Sequence, residues 1–383
     1  MFQSFVPSES KNRLRLCTFF IAILLGAGAY FIASEFITKE MFRWEAFYPA
    51  RNVKSSTCKN RCRPPGSESL PEGIITKTSN FEFHPLWGSS VRNKMLKMSK
   101  NLLAIAVGIK QRHVVSKIVE KFPRDDFDVI LFHYDGVVDE WRDFAWSSRA
   151  LHVSALNQTK WWFAKRFLHP DIVAEYNYIF LWDEDLGVEN FNPKRYVSIL
   201  KEEGLEISQP ALDPVKSKVH QLLTARKTGS KSSVERYNDV FRTNFLKSSN
   251  RRFYNFKGSG RCNANSTAPP CTGWVEMMAP VFSRAAWRCT WYMIQNDLIH
   301  AWGLDRQLGY CAQGDRTQKV GVVDAEYIVH LGLPTLGASH DNVEPKMDNR
   351  VKVRMQSSLE MQIFKERWTD AAKKDKCWID RYR

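Results

Sequence analysis

Three apolar runs constrain this chain most: "NLLAIAVGIK" at 101–110, "FDVILFHYDG" at 127–136 and "YNYIFLWDED" at 176–185. Their β-branched and aromatic content predicts strands. Between them, "QRHVVSKIVEKF" sets Val114, Val115, Ile118 and Val119 on one helical face, and "TKWWFAKRFLHPDIVAEY" forms a second helix-like span. Strand, helix, strand, helix, strand is the pattern of an α/β domain with a mostly parallel sheet flanked by helices. Such sheets bind ligands beyond the carboxyl ends of their strands. Downstream, "EEGLEISQPALDP" predicts a further strand and turn. "GWVEMMAPVFSRAAWRCTWYMI" predicts dense packing, "NDLIHAWGLDRQLGYCAQ" a helix with its preceding loop, and "KVGVVDAEYIVHLGLPTLG" a last β-like segment. The basic, weakly apolar span from Lys216 to Arg261 reads as a loop region.

The N-terminal end carries a different signal. Lys11, Arg13 and Arg15 precede an apolar run from Leu16 to Ala33. That run meets the ~18-residue lower limit for crossing a bilayer, and its basic flank places the N-terminus in the cytoplasm. A cleaved signal peptide shares the pattern, but its apolar stretch is ~7–15 residues, so a retained anchor is expected. The chain then divides into a cytoplasmic tail (1–15), a transmembrane signal anchor (16–37), a Pro/Gly/Ser-rich stem (38–90), a lumenal α/β domain (91–345) and a C-terminal amphipathic helix with a basic tail (346–383).

Cysteine usage suits an oxidising lumen. Cys17 lies in the anchor run, followed by Cys58, Cys62, Cys262, Cys271, Cys289, Cys311 and Cys377, with Cys262 and Cys271 spaced to close a short loop. The spacings match no CxxC zinc framework, and the seven cysteines after the anchor, an odd number, leave one thiol free or intermolecular. Sequons at Asn157 and Asn265 are compatible with glycosylation. The net charge of +15 favours anionic partners: nucleotide diphosphates, acidic polysaccharides, lipid headgroups or nucleic acid. Nucleic acid is disfavoured by the anchor and by the absence of a recognisable module. No GxGxxG follows the first strand, so a Rossmann dinucleotide site is not supported.

The third run drives straight into Asp183, Glu184 and Asp185. Acids at the end of an apolar strand repel one another and lose hydration, so a cation or backbone N–H donors should compensate them. Asp183 and Asp185, at i and i+2, can converge on one Mg²⁺ or Mn²⁺ while Glu184 points elsewhere. A solvated acidic turn, or an N-cap cluster for the next helix, accounts for the same residues without a ligand.

This segment resembles the DxD signature of nucleotide-sugar glycosyltransferases of the GT-A fold, and the single anchor with a short stem resembles the type II layout of Golgi members. The resemblance implies a GT-A-like, Rossmann-like sheet and a carboxylate pair holding Mn²⁺ or Mg²⁺ against the diphosphate of a UDP- or GDP-sugar. Asp183 would lie toward ribose and metal, and Asp185 would be a direct ligand. "HAWGLDRQLG" resembles the acceptor-side segment that supplies the general base of inverting members. This implies Asp305, with Asp297 and Glu276 behind it. "VHLGLPTLG" resembles the C-terminal histidine segment that completes some metal sites, which implies His330, with His340 as the alternative; here the glycine follows at i+2 and the usual lysine is absent. By the same layout, Gly108, Lys110, Arg112 and Asp135 would border the nucleotide, although surface charge explains Lys110 and Arg112 without a ligand. "KWWFAKRF" offers either a sugar-stacking platform or a buried helix face.

Over residues 80 to 345 the chain also resembles a plant family labelled lysine-ketoglutarate reductase trans-splicing related, the domain of unknown function 707. "DVILFHYDG", "YNYIFLWDEDLGV", "GWVEMMAPVFSR" and "DLIHAWGLD" carry that likeness. The label does not imply dehydrogenase activity, for no such fingerprint is present. The expected function is transfer of a sugar to a glycan or cell-wall polysaccharide in the Golgi lumen. Two other classes compete: a membrane-anchored glycan-binding or scaffold protein of the same fold, and a DxD phosphohydrolase. The last is disfavoured because Gly187 stands where its motif has Thr or Val.

Overall fold

The computed structural model describes residues 63–79, 100–219, 223–226, 251–252, 268–333 and 349–382. The anchor run, Cys262, Asn265, His340 and most of the Lys216–Arg261 span lie outside these residues. Among the described residues no helix is long and apolar enough to cross a membrane.

The three predicted strands form as β1 (Asn101–Val107), β2 (Phe127–His133) and β4 (Tyr178–Trp182). A short β3 (Leu151–Ser154) extends one edge, and β5 (Leu186–Gly187) follows the acids. The remaining strands are β6 (Ile207–Leu212), β7 (Arg251–Arg252), β8 (Val281–Ser283) and β9 (Val320–His330). They build one sheet in the order β3-β2-β1-β4-β8-β6-β9-β5, with β7 also on β9. β1, β2, β3 and β4 pair in parallel, as do β6 and β9. Between these two groups β8 runs antiparallel to both neighbours. Two reversals restore the direction, so β6 and β9 end at the same edge as β4. The expected mostly parallel sheet is therefore a mixed one. No sequence signal marks the inserted β8, because three residues are too few to show a period.

Alternation in the strands assigns their faces. Leu102, Ala104, Ile130, Phe132, Ile179 and Leu181 enter one core, while Leu103, Ile105, Leu131, Phe180 and Trp182 enter the other. Helices α1 (Arg112–Lys121) and α3 (Pro193–Glu203) cover the second face. Val115, Ile118 and Val119 of α1 are buried with Val114 partly so, as their spacing predicts. Helices α2 (Lys160–Phe167) and α4 (Arg284–Met293) cover the first face. Each has a hydroxyl N-cap: Thr159 accepts from the Trp162 N–H at 3.2 Å and Ser283 from the Ala286 N–H at 3.1 Å. Trp161 and Phe163 of α2 are buried, which decides "KWWFAKRF" largely in favour of a core face.

Two local expectations are corrected. "NDLIHAWGLDRQLGYCAQ" makes no α-helix; it forms 3₁₀ turns at Leu304–Arg306 and Leu308–Cys311, behind Ala301 and Gly303 in left-handed backbone. Residues 63–79, read as stem, pack against the domain. Leu70 and Ile74 are fully buried, and the Thr76 N–H donates to the Tyr292 carbonyl at 2.8 Å. The buried Lys165 ammonium then bridges the Thr76 and Trp291 carbonyls at 2.9 and 2.8 Å. The expected C-terminal helix forms. After the single turn α5 (Arg316–Lys319), helix α6 (Asn349–Lys374) inserts Phe364, Trp368 and Ala371 into the first-face core.

Cys289 and Cys311 form a disulfide joining α4 to the second 3₁₀ turn. Cys271 and Cys377 are each disulfide-bonded as well; Cys262, the expected partner of Cys271, lies outside the described residues.

Candidate functional site

The common edge of the sheet gathers the chemistry. β1 delivers Gly108, β4 delivers Asp183 to Asp185, and β9 delivers His330. Because β8 runs the other way, the residues before it, Glu276 to Met278, also arrive here. β5 pairs Leu186 with His330, and the Leu331 N–H donates to the Asp185 carbonyl at 3.0 Å. That ladder sets Asp185 beside His330, with Nε2 3.4 Å from Oδ2.

Each acid after β4 has its own compensation, for the three follow the strand in a bend and turn to different partners. Lys160, near the start of α2, places its ammonium 2.6 Å from Asp183 Oδ1. Asp183 still keeps 41% of its side-chain surface open. Glu184 is buried and accepts the Gly108 N–H at 2.7 Å and the Tyr134 hydroxyl. Burial pushes its carboxyl up to about 8, against those two hydrogen bonds. Asp185 Oδ2 also accepts the Leu333 N–H at 3.1 Å. His330 Nδ1 lies 2.8 Å from the Lys218 carbonyl, so that nitrogen carries a proton and Nε2 faces Asp185. The hydrogen bond to Asp185 raises the pKa of the imidazole.

The three expected bases separate. Asp297 sits on the surface, gripped by both terminal nitrogens of Arg367 on α6 at 2.7 and 2.6 Å, and the structure does not bring it to the strand ends. Asp305 lies on the first 3₁₀ turn; its Oδ2 accepts the Trp274 indole N–H at 2.8 Å, and burial raises its pKa. Glu276 is set before β8, where its N–H donates to the side-chain oxygen of Gln209 on β6 and Thr224 bonds its carboxylate. Its Oε2 is buried with no hydrogen-bond partner among the described residues. Burial pushes this carboxyl up to about 7, within electrostatic reach of His330, Asp305 and Asp183.

The expected nucleotide-side residues are mostly committed elsewhere. A Cβ on Gly108 would stand 2.4 Å from the Tyr134 hydroxyl oxygen, so the space the glycine leaves is filled by that ring. Asp135 accepts the Ile109 and Val137 N–H groups at 2.6 and 3.0 Å, which latches the ends of β1 and β2. Arg112 reaches the Glu140 carbonyl at 3.5 Å and Asp143 at 3.7 Å, and Lys110 is exposed. The sequence reading missed Lys160, Tyr134, Gln209 and Trp274. No spacing flags a lysine on a preceding helix, although its place just after the Thr159 cap puts it at the helix end nearest the acids.

The donor set accommodates a divalent cation in part. Asp185 and His330 offer a carboxylate and an imidazole anchored on a backbone carbonyl, the usual outer support of a metal-binding histidine. Mg²⁺ and Mn²⁺ are commonly held by one or two protein groups plus water and phosphate. Among the described residues no three His, Cys, Asp or Glu side chains form a ready cage, and Lys160 already occupies Asp183.

Fold and site together define an α/β protein with an acid, histidine and lysine cluster at the carboxyl edge of its parallel strands. The chain belongs to the family described as protein of unknown function (DUF707), whose profile matches residues 61–374. No curated protein matches it. Solved structures similar to it include TarS of S. aureus, at 8% identity and a TM-score of 0.38, covering 60% of this chain and 36% of that one. This chain thus corresponds to little more than a third of that protein's length. Residues 1–349 of TarS in complex with UDP match at 9% identity and a TM-score of 0.35, over 71% and 70% of the two chains. The mannosyltransferase Ktr4p of S. cerevisiae matches at 12% identity and a TM-score of 0.23, over 40% and 50%.

Proposed function

We propose that this chain transfers a sugar from a nucleotide-sugar donor, of the UDP or GDP type, to a glycan or cell-wall polysaccharide, anchored by residues 16–37 with its α/β domain in the Golgi lumen. The observation that carries this reading is the convergence of Asp185, His330 and Glu276 at one strand edge, Glu276 having a buried carboxylate oxygen with no partner among the described residues. An unsatisfied buried oxygen costs free energy, and a catalytic role is one of the few reasons to retain it. A group positioned to take a proton near neutral pH is what a hydroxyl nucleophile requires.

In the proposed step, Glu276 accepts the proton of an acceptor hydroxyl. The acceptor oxygen bonds to the sugar's anomeric carbon, and the bond from that carbon to the diphosphate oxygen breaks, its electron pair leaving with the nucleotide. Asp185 and His330 would hold Mn²⁺ or Mg²⁺, which supplies neutralisation of the diphosphate's charge. Gln209 and Thr224 orient Glu276, and Lys160 fixes the loop that carries it.

The test is transfer by the purified full chain across a panel of nucleotide sugars and glycan acceptors with Mn²⁺ present. Turnover that disappears in Glu276→Gln supports the reading. Nucleotide or glycan binding with no transfer to any acceptor favours the non-catalytic glycan-binding alternative instead.

A further inference from the structure

The two flanking acids of the motif are held in unlike ways. Asp183 Oδ1 accepts from Lys160 at 2.6 Å, and the same ammonium reaches the Met277 carbonyl at 2.6 Å and the Met278 carbonyl at 3.4 Å. Three acceptors match its three N–H donors. Lys160 is only 9% exposed, and a buried ammonium stripped of its counter-charge is strongly destabilising. Lys160 therefore resists giving up Asp183 to a competing cation. The Asp183 N–H donates to the Met278 carbonyl at 2.8 Å, so the clamp has a backbone strut as well. At Asp185 the basic side chain in contact is His330, a group that is uncharged when deprotonated: its Nδ1 is held by the Lys218 carbonyl at 2.8 Å and its Nε2 faces Asp185 Oδ2 at 3.4 Å.

We propose that the motif divides its work. Asp185 and His330 ligate the divalent cation, while Asp183 does not: with Lys160 it forms a permanent internal ion pair that clamps the end of β4 to the Met277–Met278 loop and so positions Glu276. The division rests on the metal-dependent reading given above, but it departs from the expectation that both aspartates ligate. Lys160 is on this account a positioning residue that supplies a fixed positive charge within the site.

Mn²⁺ titration of the full chain, followed by electron paramagnetic resonance, tests it without any turnover assay. The double variant Lys160→Gln with Asp183→Asn removes a net-neutral pair at nearly constant shape. Its Mn²⁺ affinity is expected within about threefold of wild type, whereas Asp185→Asn should lose tenfold or more, as on loss of a ligand or its support. A loss of about tenfold in the double variant as well would make Asp183 a ligand and overturn the division. Should the double variant not fold, double-resonance spectra of wild-type chain carrying ¹³C-labelled aspartate decide the matter: one carboxylate at the Mn²⁺ supports the proposal and two refute it. Wild-type chain that binds no Mn²⁺ defeats the metal-dependent reading itself, and this assignment with it.

Discussion

Glu184, the middle acid of the motif, accepts the Gly108 N–H at 2.7 Å and thereby ties the end of β4 to the end of β1. The acid expected to point away from the cation is thus a structural latch, closed on its other oxygen by the Tyr134 hydroxyl. Asp185, the next acid, is turned instead toward His330, with Nε2 3.4 Å from Oδ2.

Glu184→Ala should strand a backbone N–H and a phenol inside the protein, at a cost of about 2–4 kcal/mol for two unmade bonds to a charged or polar partner. Glu184→Gln keeps an acceptor and should cost less. Urea denaturation of the two variants checks this. A loss under about 0.5 kcal/mol for Glu184→Ala, the range of ordinary surface substitutions, would show that the latch is not holding the strand ends.

A chain beginning at residue 91, the expected start of the lumenal domain, should fail to fold stably. It lacks the fully buried Leu70 and Ile74 and the Thr76 carbonyl that receives Lys165. In the full chain Ile74→Ala should cost about 2–4 kcal/mol, as for other aliphatic truncations in a packed core. Expression of a monomeric, cooperatively melting 91–383 chain would contradict the packing.

His133 gives the fold an acid sensitivity. Burial, and next the stacked His152, lower its pKa from 6.5 to about 4. The folded state thus prefers the neutral ring, and the unfolded chain takes up the proton first as pH falls. Stability from this group is intact above pH 6.5 and declines between 6.5 and 4, by up to about 3 kcal/mol at ~1.4 kcal/mol per pH unit. Denaturation of wild type and His133→Gln at pH 7, 5.5 and 4.5 isolates the effect. The gap between them should narrow toward acid pH, and a constant gap would exclude it.

Glu276→Gln should reduce turnover by about 10²–10⁴-fold, the usual contribution of a positioned base, with nucleotide binding retained. In wild type the rate should rise with pH as the carboxyl, pushed up to about 7, loses its proton. The variant should lose that limb. Asp305→Asn, where Trp274 already fills one oxygen, should be milder, and the reverse ranking would move the base to Asp305.

Much of this was legible before any coordinates. β1, β2, β4, α1 and β9 follow from runs long enough to show a period, and the i, i+2 spacing already leaves Glu184 free to point away from Asp183 and Asp185. What stayed hidden depends on non-local pairing. β8 is three residues long, so its reversal, which turns Glu276 toward the acids, leaves no trace in local pattern. Lys160 lies 23 positions from Asp183, and nothing in its own helix distinguishes it from a solvated lysine. Polar composition made residues 63–79 read as linker, yet two aliphatic side chains among them suffice to bind the segment to the core. Asp297 and Asp305 flank one "WG" segment, and only the Arg367 pairing from α6 separates them.

The most direct measurement is isothermal titration of UDP and GDP into the full chain, with and without Mn²⁺, for wild type and Asp185→Asn. Metal-dependent binding of one nucleotide by wild type, weakened tenfold or more in the variant, is the predicted result. Equal binding by both proteins, indifferent to Mn²⁺ or a chelator, would contradict the assignment of this strand edge as a metal-assisted nucleotide-sugar site.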